Sequence, residues 1–406
     1  MPSKFTNLIL STNEDLYNYL NDVNYGMSKP QFHNLSTIVD GLINCQGSKT
    51  LSNIADTILK SKDKSCIYRF LSTSNWDDSL LNQNRVNYLS FFLEHNIKPK
   101  SAGFLVIDDT VNHKESAKKM QGLQYNYSHI EGKSIWSHCV VTSNFVSNDK
   151  SFPLQFQPYY TKENCEALGK KFISKVDIAT EFINSFKSPS NCDSIYCLVD
   201  SWYTNNNLLE SCLSKGYHLI GALKSNRKIS PLGISLQLSE FNKYIDPKTL
   251  DLVTVNGKDY RVYIYEGSVS NFPNGKVIIC YEVNDNEFKA PVYLMSTDIE
   301  LDAKTIIEYY SIRWNIETSY KYFKSNLAFD EYRVRSILSI ERYFLICFLT
   351  YNFLEIYRVT TKLATIGDTQ QYLNSLSAKA LVCFVYEKAK KNCKIEEILK
   401  ELKLAS

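Results

Sequence analysis

Four polar side chains with different chemistry lie close together between Tyr310 and Lys324, in the segment YSIRWNIETSYKYFK. They are Tyr310, Arg313, Glu317 and Lys324. On a single helix at 100° per residue, all four would project within about 60° of one another. A carboxylate between two cations suits a metal-binding acid with phosphate-holding neighbours. The alternative is an ordinary surface helix, whose Arg–Glu pair would contribute only about 0.2–0.5 kcal/mol.

Further acids stand where two predicted strands end. The apolar run AGFLVIDD closes on Asp108 and Asp109, and SIYCLVD closes on Asp200. A single acid at such a place is more often a turn residue. However, the carboxyl ends of neighbouring strands in an α/β sheet form a common crevice, where acids from two strands would converge. Three carboxylates without nitrogen or sulfur ligands suit magnesium or manganese.

The hydrophobic periodicity predicts the elements that carry these acids. Three strands come first, then a long amphipathic helix from about Lys162 to Phe186, the strand that ends at Asp200, a helix and a fifth strand. This order is that of an RNase H-like α/β fold. A β-rich stretch follows, in which Asn256-Gly257 and Asn274-Gly275 are the expected turns. The chain before residue 98 and after Glu317 has helical patterns.

The spacing Y-x2-R-x3-E-x6-K resembles the signature around the last catalytic carboxylate of DDE transposases from bacterial insertion sequences. The resemblance covers about residues 102–350 and also includes DDT at 108–110 and VDSWYTNN from Val199. It implies that Asp109, the acid before Thr, together with Asp200 and Glu317, is catalytic and holds two Mg²⁺ or Mn²⁺ ions.

The same resemblance implies roles for the neighbouring cations. Arg313 and Lys324 would hold DNA phosphates beside the metal, and Tyr310 would donate a hydrogen bond to one. GALKSNRK is similar to a further motif of the family, which implies that Lys224 and Arg227 contact the DNA backbone. The alternative for this segment is a solvated basic turn.

The resemblance and the patterns together predict an RNase H-like core with an all-β insertion, flanked by helical regions. The predicted division is 1–98 as a helical DNA-binding region, 99–230 and 301–360 as the two parts of the core, 231–300 as the β-rich insertion, and 361–406 as a helical tail.

Composition limits the other classes of function. The net charge of +3 is weakly basic, so any DNA binding must come from local clusters of Lys and Arg. Eleven cysteines without one C-x-x-C, and only six histidines, argue against a structural zinc and for reduced thiols. The N-terminus lacks the apolar run that export requires. The most apolar segment, Tyr343 to Tyr357, is too short to span a membrane and reads as a buried helix.

We therefore expect a cytoplasmic bacterial transposase that cleaves transposon ends and transfers the strands to target DNA. Its partners would be double-stranded DNA with terminal inverted repeats, target DNA and a second copy of the chain in a synaptic homodimer, but no membrane. Two alternatives stay open: an RNase H-fold nuclease without strand transfer, and a DNA-binding protein derived from a transposase.

Overall fold

A computed structural model describes residues 13–59, 61–128, 131–285 and 287–402. The prediction that the chain has no export signal concerns its first residues, and residues 1–12 lie outside the described residues. The contacts divide the chain into two compact units. The first comprises the described parts of Met1–His95, Val111–His138 and Ser319–Ser406, and the second comprises Asn96–Thr110 and Cys139–Thr318. The five-part division expected from the sequence stays a prediction.

The helices in chain order are α1 (Glu14–Val23), α2 (Lys29–Asn44), α3 (Leu51–Thr57), α4 (Lys64–Ser72), α5 (Asp78–Asn96), α6 (Lys162–Leu168), α7 (Lys175–Ser185), α8 (Asn206–Ser214), α9 (Leu238–Phe241), α10 (Ala303–Ser311), α11 (Trp314–Leu327), α12 (Ile337–Thr361), α13 (Ile366–Lys390) and α14 (Ile395–Glu401).

The strands are β1 (Ser101–His113), β2 (Gln124–Ser128), β3 (Lys133–Ser147), β4 (Lys150–Tyr159), β5 (Cys192–Val199), β6 (His218–Ala222), β7 (Lys228–Ile229), β8 (Leu236–Gln237), β9 (Asp251–Val255), β10 (Lys258–Val269), β11 (Phe272–Asn284), β12 (Glu287–Phe288) and β13 (Val292–Ser296).

The second unit is built on a mixed sheet with the strand order β3-β1-β5-β6-β13-β11-β10. β1, β5 and β6 are parallel, and β5 is buried along most of its length, as expected for a central strand covered on both faces. β13, β11, β10 and β9 continue the sheet as antiparallel strands. This arrangement confirms the predicted α/β class and the β-rich character of the stretch before α10.

The first unit is mainly helical. Polar N-cap side chains begin its helices: Asn13 caps α1, Thr50 caps α3 and Asp63 caps α4. α12 is apolar on all sides and packs against α2, α4 and α13. Among the described residues it is the one helix long and apolar enough to cross a membrane, yet 89% of its most apolar window is buried within the structure. It is therefore built like a core helix, as predicted for Tyr343 to Tyr357.

Three predictions of helices and turns were wrong. The helix expected from Lys162 to Phe186 is two helices, because Gly169 adopts a left-handed conformation (φ 63°) that ends α6. Asn274-Gly275 lies inside β11, and the chain turns instead between Val269 and Phe272. By contrast, Asn256-Gly257 forms the predicted hairpin turn, with positive φ at both residues.

The third correction concerns the segment from Tyr310 to Lys324. It is not one helix: α10 ends at Ser311 and α11 begins at Trp314. Around Arg313 the backbone bonds join residues three apart, including Arg313 N to Tyr310 O (3.0 Å) and Ile316 N to Arg313 O (3.1 Å). A tight 3₁₀-like turn thus separates Tyr310 from Glu317, and the four side chains do not share the face of one helix.

Candidate active site

Asp108 and Asp109 lie within β1, which continues to His113 and so does not end on these acids as predicted, and they separate into different environments. Successive side chains of a strand point to opposite faces, so Asp108 and Asp109 diverge. β1 pairs in parallel with β5 up to Val106, which lies opposite Leu198. Continuing this register by two residues on each strand sets Asp108 beside Asp200. The strand geometry therefore associates Asp108, and not Asp109, with the acid at the end of β5.

Asp108 contacts the predicted helix cluster directly. Arg313 Nη1 donates to Asp108 Oδ2 at 2.9 Å, and the Asp109 amide donates to Asp108 Oδ1 at 2.8 Å. Burial raises the pKa of Asp108 to about 7; the charges of Asp109 and Asp200 add to the rise, and Arg313 opposes it. A carboxyl crowded by two other acids is a position where a cation would be stabilised.

Asp109 has a separate set of partners. Its Oδ2 accepts from Lys175 Nζ at 2.8 Å and from Cys139 Sγ at 3.3 Å, and its Oδ1 accepts from the Tyr203 hydroxyl at 2.8 Å. Burial raises the pKa of Tyr203 well above its usual value, and the adjacent Asp109 charge raises it further, so the hydroxyl stays a donor. Both carboxylate oxygens of Asp109 are thereby engaged.

Asp200 stands at the start of the turn after β5. Its Oδ1 accepts from the backbone amides of Trp202 (2.9 Å) and Tyr203 (3.0 Å), an Asx-type arrangement that fixes the carboxylate orientation. Four residues after Asp200, Thr204 donates its hydroxyl to the Asp200 carbonyl at 2.8 Å. Asp200 is therefore a well-ordered oxygen donor at the strand end.

Glu317 is held by the arginine that also holds Asp108. Arg313 Nη2 donates to Glu317 Oε1 at 2.5 Å, so one guanidinium bridges carboxylates from β1 and α11. Tyr310 is half-buried, and the Arg313 guanidinium lies 5.9 Å from its ring centroid. The 3₁₀-like turn is what directs Arg313 at both acids, and it therefore positions the bridge.

The donor chemistry of Asp108, Asp200 and Glu317 fits a divalent metal, since all three supply hard carboxylate oxygens. Within the described parts of the chain, however, no group of three or more His, Cys, Asp or Glu side chains is close enough to share an ion. Arg313 is the cation that offsets Asp108 and Glu317 in this arrangement. The residues fit the metal in type, and joint binding would require their carboxylates to come closer together.

The remaining predicted cations have different partners. Lys324 belongs to the first unit, where its ammonium donates to the Val111 carbonyl at 2.8 Å. Arg227 donates to the Thr204 carbonyl at 2.7 Å, four residues after Asp200, while Lys224 is exposed. Lys224 and Arg227 line a polar cavity of about 520 Å³ together with Lys228 and with serine and asparagine side chains from the chain between β6 and β11. This composition suits an anion.

Sequence reasoning missed Lys175, Tyr203 and Cys139. Lys175 begins α7 and is far from Asp109 in the sequence, so no local spacing connects the two residues. Tyr203 belongs to VDSWYTNN, but sequence reasoning assigned it no role. Its position three residues after Asp200 was a usable signal that it belongs to the site. Two exposed indoles were likewise unassigned: Trp202 is 47% exposed and Trp314 is 64% exposed.

Comparison with known proteins gives two matches. A family model described as "DDE superfamily endonuclease" matches residues 15–236, which include the ends of β1 and β5. The probable transposase for insertion sequence element IS701 of Microchaete diplosiphon is 22% identical over 317 residues, which cover 74% of this chain and 76% of that protein.

Proposed function

The chain belongs to the DDE superfamily endonucleases, enzymes that act on DNA, and we propose that it is an insertion-sequence transposase that cuts transposon ends and joins them to target DNA. The mixed sheet with flanking helices corresponds to the RNase H-like core of this family. The single observation that carries the proposal is that Arg313 bridges Asp108 and Glu317, with Asp200 near enough for its charge to raise the pKa of Asp108.

The superfamily uses divalent metals, and we propose Mg²⁺ or Mn²⁺, in two sites, for this chain. A bound divalent ion would lower the pKa of water and offset charge on the phosphodiester. Asp200 and Glu317 would hold it with one acid of the DDT motif. The resemblance assigns that place to Asp109, but the contacts favour Asp108, because Asp109 is engaged by Lys175 and Tyr203.

Arg313 has the geometry to connect acid and phosphate. A guanidinium has five N–H donors in a planar fork, so Arg313 retains donors for a phosphate while it holds one carboxylate. We propose that it binds a backbone phosphate when DNA is present, with Lys324 as a further phosphate contact and Tyr310 as a hydroxyl donor. Lys224 and Arg227 would bind the backbone through their polar cavity.

The biological partners follow from this assignment. They are double-stranded DNA with terminal inverted repeats and a target duplex, and the active form would be a homodimer that holds two ends. The enzyme would act on chromosomal DNA in the bacterial cytoplasm. Weak overall charge means that these contacts depend on local clusters of cations.

The test uses conservative variants and cleavage of a labelled transposon end in Mg²⁺. Asp200→Asn and Glu317→Gln should each abolish nicking and leave DNA binding near wild type, because each removes a metal ligand and not a DNA anchor. Asp193→Asn, at the exposed start of β5, and Glu308→Gln, on the exposed side of α10, are matched controls that should cleave normally.

The same assay decides between the acids of the DDT motif. We expect Asp108→Asn to abolish nicking; full activity in that variant together with an inactive Asp109→Asn would restore the assignment from the resemblance. Unimpaired cleavage by the Asp200→Asn protein would overturn the proposed mechanism. A mini-transposon assay separates the nuclease alternative, since a simple nuclease would leave the cut ends unjoined.

A further inference from the structure

A further concave surface lies in the first unit, and none of the residues assigned above lines it. It is a cavity of about 680 Å³, lined by residues 113–120, residues 331–333 and Arg335. The first segment is the end of β1 and the connection to β2, and the second precedes α12. We call it the basic surface, because Lys114, Lys118, Lys119, Arg333 and Arg335 line it, against the carboxylates of Glu115 and Glu331.

Hydrogen bonds tie the two segments of the basic surface together. The Lys114 ammonium donates to the Asp330 carbonyl and to the Tyr332 carbonyl (2.8 Å), and it lies 3.8 Å from the Tyr332 ring centroid. The Gln121 amide donates to the Arg335 carbonyl at 2.9 Å. These bonds cross-link the two segments. The backbone positions of the cations on the segments are therefore fixed before any ligand binds.

The outer cations of the basic surface point to solvent. Lys118, Lys119, Arg333 and Arg335 are all exposed, and none of their side chains forms an ion pair with any residue that the structure describes. Lys114 is different, since backbone carbonyls bind its ammonium. Four exposed cations, none in an ion pair with a described residue and outnumbering the two glutamates of the same wall, are matched by a polyanion and not by a single small anion.

An exposed aromatic residue adjoins the same wall. Tyr125 on β2 is 71% exposed, and its ring packs against Trp136 at 5.2 Å between centroids. Trp136 in turn donates its indole N–H to the Ala117 carbonyl at 3.2 Å, which fixes the aromatic pair to the basic loop. A tyrosine hydroxyl beside lysines is a typical donor to DNA phosphate oxygens.

We propose that the basic surface binds the sugar-phosphate backbone of duplex DNA, independently of base sequence. This inference rests on the proposed function and adds a contact region outside the carboxylate cluster. Lys118, Lys119, Arg333 and Arg335 each neutralise a phosphate, and Tyr125 donates a hydrogen bond to another. Such contacts contribute affinity through counterion release, and they extend the length of DNA that the protein holds.

The experiment measures how binding of a duplex that lacks the inverted repeat depends on salt. Each phosphate contact contributes about 0.9 to the slope of log Kobs against log salt concentration. We expect Lys118→Gln/Lys119→Gln to lower the magnitude of the slope by about 2, and Arg333→Gln/Arg335→Gln to do the same independently. Lys243→Gln/Lys248→Gln is the matched control, since it removes two exposed lysines of the second unit and should leave the slope unchanged.

The outcomes separate this inference from the proposed function. If the wild-type chain binds duplex DNA and both double variants keep its slope, the basic surface is not a DNA contact, and the transposase assignment stands. If the wild-type chain binds no duplex at all, both proposals fall. A lower slope in both variants, with an unchanged midpoint of thermal unfolding and an unchanged control, supports the basic surface alone.

Discussion

Replacing Asp108 with Asn should stabilise the metal-free protein at alkaline pH, although the residue lies in the candidate active site. Burial and two neighbouring acids raise the pKa of Asp108 from 3.8 to about 7. The native state therefore prefers the protonated form. The contribution of protonated Asp108 to the free energy of unfolding is fully present below pH 4 and is lost as the pH rises through 7. Asn resembles the neutral form and carries no such loss.

The pKa gives the size of the effect. Three pKa units correspond to about 4 kcal/mol at pH 8, an upper bound because Asn does not reproduce every contact of a protonated carboxyl. The attraction to Arg313 is already included, since it opposes the rise. We expect Asp108→Asn to gain roughly 2 kcal/mol or more in free energy of unfolding at pH 8, and close to nothing at pH 4.

The adjacent acid is the matched control with the opposite sign. Asp109 receives bonds from Lys175 and Tyr203, and Asp109→Asn would leave the Lys175 charge without its carboxylate. Breaking a buried ion pair costs about 3–5 kcal/mol, and these side chains are about one-fifth exposed, so a loss of roughly 2 kcal/mol is expected.

The assay is urea unfolding at pH 4 and pH 8 in the presence of a chelator, with equal m-values required for the comparison. A destabilised Asp108→Asn protein at pH 8 would refute the reasoning, because it would mean that the charge at this position is favourable without metal. An equal gain at both pH values would also refute it, since the gain would then not come from titration.

Three other results are expected. Burial lowers the pKa of His138 to about 4, so the native state holds the neutral ring and the free energy of unfolding should fall as the pH drops from 6.5 towards 4. In urea unfolding, His138→Gln should remove the part of this pH dependence that comes from His138. Lys175→Met should cost roughly 2 kcal/mol through the uncompensated Asp109 charge, and circular dichroism melts would contradict this if the midpoint rose. If the exposed indole of Trp314 stacks on a base, Trp314→Ala should weaken binding of a transposon end with unpaired terminal bases by roughly 1–3 kcal/mol. Trp76→Phe, in the first unit, should leave that affinity unchanged. Equal affinities for the wild-type protein and both variants would exclude stacking.

Some features of this protein depend only on local sequence. The acids on β1 and after β5 follow from apolar runs that close on Asp, and the hairpin at Asn256-Gly257 follows from two residues that tolerate positive φ. The spacing of Arg313 and Glu317 survives the break in the helix, because Arg313 stands directly before α11 and the pair still meets at 2.5 Å. In each case the interacting residues are near one another in the chain.

Tertiary structure decided the rest. Adjacent acids in DDT differ only in the face of the strand to which they point, and the register of β1 against β5, a long-range property, determines which of them faces Asp200. The partner of Asp109 is Lys175, from a helix that the periodicity merged with its neighbour. The break before Trp314 also escaped detection, because the change from four-residue to three-residue hydrogen bonds leaves the hydrophobic period almost unaltered. Sequence spacing thus locates the acids, and only the packing of strands and helices determines which of them meet.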